Sequence, residues 1–155
     1  PQGERIPEKG KPPLYYHVKN MWYKLDGKGI LLEEKSHIWK VNAKTGKMKQ
    51  LTFGKNGDAS PNVSPDGKKV VFVSNRQKSY EEKLQYVDIY VIDINGKKEK
   101  KVKTPAGPKG LPVFSPDGRS IAYIGREYPE QWFGWRNYYL WVVTVQGGRA
   151  VNITK

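Results

Sequence analysis

The sequence contains no cysteine, only two methionines and few acidic residues relative to its basic ones. Without cysteine, the chain has no disulfide framework, no thiolate nucleophile and no cysteine-based zinc site, and cysteine usage does not identify its compartment. Its longest apolar runs, such as Val70-Val71-Phe72-Val73 and Leu140-Trp141-Val142-Val143, fall far short of the ~20 apolar residues that a membrane-spanning helix needs. The sequence therefore predicts no membrane crossing and no disulfide-stabilised scaffold.

The excess of basic residues raises the question of nucleic-acid binding. Lysine and arginine total 28 against 15 acids, for a net charge of +13. A cationic surface binds nucleic acid because it releases counterions from the phosphates. Most of these bases are lysines scattered over predicted turns and outer strands, as in Lys97-Lys98-Glu99-Lys100-Lys101, where lysine also protects an exposed strand edge. The pattern disfavours nucleic acid as a partner.

The chain has the size of one domain or of a few repeats. It has 155 residues, of which 37% are hydrophobic and 12% aromatic, enough for a packed core. It begins at Pro1, without a methionine or an apolar leader. We therefore expect either that a leader was removed or that the chain is a segment of a longer protein.

The sequence repeats with a period of 51 residues. Ser64-Pro65-Asp66-Gly67 recurs as Ser115-Pro116-Asp117-Gly118, and the pairs Ile38-Trp39, Ile89-Tyr90 and Leu140-Trp141 share the same spacing. Each unit ends near a threonine, at Thr52, Thr104 and Thr154. Repetition at a fixed period of this size is typical of solenoids, propellers and similar arrays.

Each unit shows the chemistry of strands and turns. Short runs of Val, Ile, Tyr, Phe and Trp alternate with clusters of Gly, Pro, Asn and Asp, and no run shows helical spacing. In the repeated Ser-Pro-Asp-Gly turn, the proline presets φ, the aspartate bonds nearby amides and the glycine takes positive φ. The predicted strands are 14–24, 30–33, 37–42 and 48–53 in the first unit, 61–64, 69–74, 88–94 and 100–104 in the second, and 113–115, 120–125, 138–145 and 149–154 in the third.

These units predict an all-β fold, namely a β-propeller segment of about three four-stranded antiparallel blades. The predicted organisation is a linker at 1–13, a degenerate blade at 14–53 and two regular blades at 54–104 and 105–155. The alternative is a self-contained sandwich of three units. Because propellers usually close with four to eight blades, three blades form an incomplete ring with two uncovered faces. We expect the missing blades to come from the rest of a parent protein, from a companion chain or from self-association.

Three motifs in order resemble a known family. Tyr23-Lys24-Leu25-Asp26-Gly27-Lys28-Gly29, His37-Ile38-Trp39 and Gln50-Leu51-Thr52, followed by the two Ser-Pro-Asp-Gly blades, resemble the propeller of the prolyl oligopeptidase family, closest to its acylaminoacyl-peptidase branch. The resemblance covers roughly residues 14–154. It implies a propeller that caps an α/β-hydrolase domain, restricts access of peptide substrates, and lies in the cytoplasm. Ser-Pro-Asp-Gly blades also occur in Tol-system propellers, so the alternative is a stand-alone propeller that scaffolds a protein partner.

The chain by itself is predicted to be non-catalytic, although the parent would be a serine peptidase. No serine lies in the Gly-x-Ser-x-Gly elbow of α/β-hydrolases, and the only histidines are His17 and His37. Ser36 is adjacent to His37, so on a strand their side chains point to opposite faces, and His37 is expected to be structural, at the start of a strand. The acid pairs Glu33-Glu34 and Glu81-Glu82 lack metal-ligand spacing. We expect no catalytic residue, no metal and no cofactor.

The candidate site lies at one end of the predicted blades. A four-stranded meander places the loops 54–60, 75–87, 105–111 and 126–137 on one rim, and long loops often carry binding functions. The candidate domain-interface or substrate-gating residues, all in the aromatic loop, are Tyr128, Trp132, Phe133, Trp135 and Arg136. Packing against a neighbouring domain is favoured over contact with substrate. Arg76 and Arg126, just after second strands, are weaker candidates, expected to bond carbonyls of a neighbouring blade or, alternatively, a substrate carboxylate.

Overall fold

The fold is given by a computed structural model that describes residues 23–27, 29–30, 35–129 and 137–154. The chain divides into two compact units, Pro1–Glu34 and Lys35–Lys155. In the described ranges no helix has the length and apolar character that a membrane crossing requires. The strands are β1 (Lys24–Leu25), β2 (Gly29–Ile30), β3 (Trp39–Val41), β4 (Met48–Gln50), β5 (Asp58–Val63), β6 (Lys69–Ser74), β7 (Asp88–Asp93), β8 (Lys100–Val102), β9 (Lys109–Phe114), β10 (Ser120–Gly125), β11 (Tyr139–Thr144) and β12 (Val151–Asn152).

The compact unit Pro1–Glu34 contains a short hairpin of β1 and β2. Lys24 pairs with Ile30 and Leu25 with Gly29, around a turn in which Gly27 has a φ of 77°. The turn lies where the Asp-Gly-Lys-Gly motif predicts it. Residues 1–22, which include the predicted linker and most of the first predicted strand, lie outside the described residues.

The compact unit Lys35–Lys155 contains two four-stranded antiparallel sheets. One has the order β5-β6-β7-β8 and the other the order β9-β10-β11-β12, so each is a meander; we call them the second and third blades. Before them, β3 and β4 form a two-stranded antiparallel hairpin, the first hairpin below. These sheets confirm the predicted all-β propeller segment. The exact limits of linker and blades stay a prediction.

The first strand of each blade begins earlier than predicted. β5 begins at Asp58 and β9 at Lys109, whereas the predicted strands begin at 61 and 113. The reason is a repeated β-bulge, in which Ser60-Pro61 lie opposite Phe72 and Leu111-Pro112 lie opposite Tyr123. Because proline cannot donate a ladder hydrogen bond, it is found in strands mainly at edges and bulges. The two prolines made a continuing strand look like a loop.

The Ser-Pro-Asp-Gly turns adopt the predicted conformation. Asp66 accepts hydrogen bonds from the Ser64 hydroxyl at 2.6 Å and from the Lys68 amide at 3.0 Å, and Gly67 has a φ of 70°. The Ser64 hydrogen bond, followed by that of the Lys68 amide, lowers the pKa of Asp66. Asp117 makes the same contacts in the third blade and its pKa is also lowered. Both aspartates therefore serve the turn, as predicted.

The core forms two layers, one on each face of the second blade. Because alternate residues of a strand point to opposite faces, Val70 and Phe72 face the first hairpin, whereas Val71 and Val73 face the third blade. The layer beside the first hairpin consists of Ile38, Leu51, Val70, Phe72, Tyr90 and Ile92. The layer between the blades consists of Val71, Val73, Ile89, Val91, Val102, Ile121, Tyr123, Trp141, Val143 and Val145.

The outer face of the third blade is open. Ile89 and Val102 are both completely buried in the layer between the blades. Their counterparts 51 residues later, Leu140 and Ile153, are 36% and 54% exposed. The described part of the chain therefore places a neighbour on both sides of the second blade, but on one side only of the third.

Candidate functional site

The strand order gathers the longer loops at one end of the two blades. The tight turns 64–68 and 94–99 connect strands at one end of the second blade, and the loops 75–87 and 103–108 leave the other. The third blade repeats this arrangement, with the loop that follows β10 on the second end. We call this second end the loop rim.

The aromatic candidates fall mostly outside the described residues. Trp132, Phe133, Trp135 and Arg136 are among them, so their role at a domain interface stays a prediction. Tyr128 is described, and it is exposed with a φ of 72°. Such a φ is uncommon for a tyrosine and marks a sharp change of chain direction where the aromatic loop leaves the sheet.

Arg76 binds carboxylates of its own blade. Its guanidinium contacts both carboxylate oxygens of Glu99, the second at 3.0 Å, and lies 3.3 Å from a carboxylate oxygen of Asp58. It also lies 4.1 Å from the centre of the Tyr90 ring, a cation–π distance. The Glu99 hydrogen bond raises the pKa of Arg76. Among the described residues Arg76 therefore bonds two acids of its own blade, and its expected bonds to carbonyls of a neighbouring blade stay a prediction.

Arg126 differs from Arg76 in its surroundings. It is buried, and its guanidinium lies 5.4 Å from the centre of the Tyr138 ring. Its amide hydrogen bonds to the carbonyl of Pro108, which belongs to the loop before β9. The two arginines are therefore not equivalent residues of successive blades. Their places in the sequence also differ, because one residue separates Arg76 from Ser74, the last residue of β6, whereas Arg126 directly follows Gly125, the last residue of β10.

A buried aspartate joins the first hairpin to the second blade. The Asp58 side chain is 1% exposed and lies between Arg76 and the Nδ1 atom of His37, which is 3.2 Å away. Main-chain contacts reinforce the junction, because the Asp58 amide donates to the Ser36 carbonyl at 2.8 Å. His37 thus has the structural place, just before β3, that the sequence predicts.

A second buried ion pair joins the second and third blades. Asp88 accepts a hydrogen bond from Lys101 at 2.6 Å and lies 4.0 Å from the Lys109 ammonium. The Lys109 side chain is 2% exposed and donates to the carbonyls of Val87 at 2.8 Å and Gly107 at 3.0 Å. Burial lowers the pKa of Lys109 to about 8, and the nearby Asp88 offsets only part of this effect.

Sequence reasoning did not identify these junctions, although the repeat carries the signal. Shifting the sequence by 51 residues aligns His37 with Asp88 and Asp58 with Lys109. At both junctions, therefore, ionisable residues occupy the same two positions of the repeat, and the two residues of each junction contact each other. The signal is visible only once the packing of neighbouring blades is known.

The lowered pKa of Lys109 predicts a particular pH dependence of stability. Between about pH 8 and 10.5 the unfolded chain holds a proton that the folded chain has lost, so the free energy of unfolding should rise with pH. The slope contributed by this group approaches about 1.4 kcal/mol per pH unit. Lys109→Met should lack that rise. Urea unfolding of both proteins at about pH 8, 9 and 10 measures the difference in slope, and parallel curves would contradict the prediction.

The described residues contain no cluster of three or more His, Asp or Glu side chains that could hold a metal ion. His37 is paired with Asp58, and the neighbouring Ser36 hydroxyl donates to the Asp58 carbonyl and not to the imidazole. A cleft of about 650 Å³ beside β12 is lined in part by Lys103, Thr104, Glu127, Trp141, Arg149 and Asn152.

Comparison with known proteins supports the class of fold that this geometry defines. No family model matches the chain. In structure it is similar to a TolB-like protein of Agrobacterium tumefaciens, with a TM-score of 0.62 and 19% identity over 75% of this chain and 40% of that one. It is also similar to TolB of Acinetobacter baumannii, with a TM-score of 0.58 and 20% identity over 81% of this chain and 28% of that one. An oligogalacturonate lyase solved with manganese is also similar, with a TM-score of 0.56 and 17% identity over 79% of this chain and 30% of that one. At these identities the likeness shows a propeller-type fold.

Two curated proteins are similar in sequence. The uncharacterized protein Atu1656 of Agrobacterium fabrum is 30% identical over 115 residues, which are 69% of this chain and 39% of that protein. The uncharacterized peptidase YuxL of Bacillus subtilis is 35% identical over 75 residues, 48% of this chain and 11% of that protein. The chain therefore spans about a tenth to two fifths of the length of these relatives.

Proposed function

We propose that this chain is the non-catalytic propeller part of a serine peptidase that resembles acylaminoacyl and prolyl oligopeptidases, and that it restricts peptide access to an α/β-hydrolase domain. The observation that carries the proposal is the sequence likeness to the Bacillus subtilis peptidase, together with the ordered motifs at 23–29, 37–39 and 50–52. The fold agrees, because a propeller can cover another domain with one of its ends.

The loop rim is the end that would face the hydrolase domain. Asp58 and Lys109 are buried there. Asp58 is tied to the segment before β3 by its pair with His37 and by a main-chain hydrogen bond, and Lys109 is tied to the second blade by its pair with Asp88 and by the hydrogen bond that its ammonium donates to the Val87 carbonyl. Such ties favour a stiff rim that admits short or unfolded peptides and rejects folded ones. Because Arg76 already holds two carboxylates of its own blade, it serves this stiffness, and the aromatic loop 126–137 is left to contact the hydrolase domain.

The open face of the third blade calls for a covering partner. It exposes the side chains of Ile124, Leu140 and Ile153. A partner that covered them would stabilise the assembly by ~25 cal/mol for each Å² of apolar surface removed from water. We propose that further blades of the parent protein cover it. A companion chain or a second copy of this chain would be the other occupants of that face.

Labelling with a fluorophosphonate, which reacts with the active serine of serine hydrolases, tests the proposal. The native protein is captured from its source cells with an antibody against residues 35–129 and then labelled. We expect a labelled polypeptide well above the 17.8 kDa of this chain. A native polypeptide that carries this sequence and takes no label would refute the peptidase assignment.

In the same protein, replacing Trp132 and Trp135 by alanine should lower the thermal midpoint and change the hydrolysis of long peptides more than that of short ones.

The second candidate is a stand-alone Tol-type propeller that scaffolds a protein partner. It is favoured by the similarity to the two TolB structures, which cover 75% and 81% of this chain. The same experiment separates the candidates, because the scaffold would be captured without label and together with a protein partner in a fixed ratio.

A further inference from the structure

The two junctions share one geometry but distribute their charges differently. At each junction, a residue at or shortly before the start of a strand contacts the residue that begins the first strand of the following blade. The first of these residues is His37, before β3, or Asp88, at the start of β7. These pairs are His37 with Asp58, at 3.2 Å, and Asp88 with Lys109, at 4.0 Å. The acid is on the later element in the first pair and on the earlier element in the second.

Both acids therefore belong to the second blade, and their partners belong to its two neighbours. Asp58 begins β5 and Asp88 begins β7, whereas His37 precedes the first hairpin's β3 and Lys109 begins the third blade. Each acid also has a basic partner within the second blade, Arg76 for Asp58 and Lys101 for Asp88. The two side chains nearest the junctions, Asp58 and Lys109, are almost completely buried.

Incorrect stacking would bury unmatched groups at these places. The apolar layers offer little discrimination, because residues 51 apart are alike in both. If the second blades of two molecules stacked on each other, Asp88 of one would meet Asp58 of the other. If the third blade packed directly on the first hairpin, Lys109 would meet His37 without a carboxylate. Like charges placed together, or one member of a buried pair left alone, strongly destabilise the arrangement in which they occur.

We propose that the placement of both acids on the second blade, with their basic partners on the two adjoining elements, specifies the order in which the first hairpin, the second blade and the third blade stack. This goes beyond the proposed function and holds whether the chain belongs to a peptidase or to a scaffold. Repeat proteins face this problem because similar units can exchange partners, within one molecule or between copies. The charges act here against such exchange.

The test exchanges the members of one pair. In the variant Asp88→Lys with Lys109→Asp the native junction keeps opposite charges, and the half-exposed Lys101 can turn into solvent. Both incorrect stackings, however, now also bring opposite groups together. The full protein is refolded from urea and analysed by size-exclusion chromatography with light scattering. Since 1.4 kcal/mol is a factor of ten, we expect the share of misassembled oligomers to rise about tenfold or more over wild type.

Three further variants make the result decisive. Lys78→Glu with Glu82→Lys exchanges two exposed charges and should refold as wild type does. Lys109→Met breaks the pair and removes the penalty on packing the third blade against the first hairpin, but it keeps acid against acid between two second blades, so it should lower the thermal midpoint and add fewer oligomers than the exchanged pair. If the exchanged pair does not fold, Asp88→Asn with Lys109→Gln tests the same point, because neutral amides remove the discrimination. A single native species at wild-type yield from the exchanged or the amide pair, or as many oligomers from Lys109→Met, would overturn the proposal.

Discussion

Replacing Ile89 by alanine is expected to lower the free energy of unfolding by about 2–5 kcal/mol, the usual range for removing a large aliphatic side chain from a core. Ile89 is completely buried in the layer between the two blades, among residues such as Val71, Val102 and Trp141. The packing on both sides is fixed by strands, so the cavity has little freedom to collapse. Urea unfolding monitored by tryptophan fluorescence measures the loss.

Leu140→Ala is the matched control, because Leu140 occupies the equivalent place of the third blade. Its side chain is 36% exposed on the open face, so in a chain without further blades its truncation should cost about 1 kcal/mol or less. In a parent protein whose next blade covers this face, the cost should rise to that of Ile89→Ala. Equal costs in the short chain and in the parent would show that no blade covers the third one.

The second strands and the tight turns were predictable from sequence because their signals are local. β6 and β10 have the predicted bounds, since in each a short run of consecutive apolar residues follows a turn whose four residues each have a conformational reason. The first strands were cut short in the prediction because Pro61 and Pro112 occupy bulges. A proline in a bulge and a proline in a loop look the same until the partner strand is known.

The polar junctions could not be predicted for a different reason. Asp58, Asp88 and Lys109 are charged residues, and charged residues are rarely buried, so a sequence pattern places them in solvent by default. Only the stacking of neighbouring blades brings them out of water and beside their partners. Arg76 shows the same limit, since Glu99 lies 23 residues away and is reached across the intervening strand β7.

Replacing Asp58 by alanine is expected to cost about 3–5 kcal/mol, as is usual when one member of a buried ion pair is removed. The change leaves Arg76 with Glu99 alone and leaves the His37 ring without its carboxylate partner. It also opens a space where the first hairpin meets the second blade. The loss should appear as a lower midpoint in both thermal and urea unfolding.

Asp66→Ala is the matched control, because it removes the same carboxylate from an exposed turn. Asp66 accepts two short-range hydrogen bonds, from the Ser64 hydroxyl and the Lys68 amide, in full contact with solvent, so its loss should cost much less than that of Asp58. Asp58→Asn should fall between the two, since the amide keeps the shape and one acceptor oxygen but not the charge. Losses of the same size for Asp58→Ala and Asp66→Ala would mean that the junction contributes no more than a surface turn, and that the stiffness attributed to the loop rim has another origin.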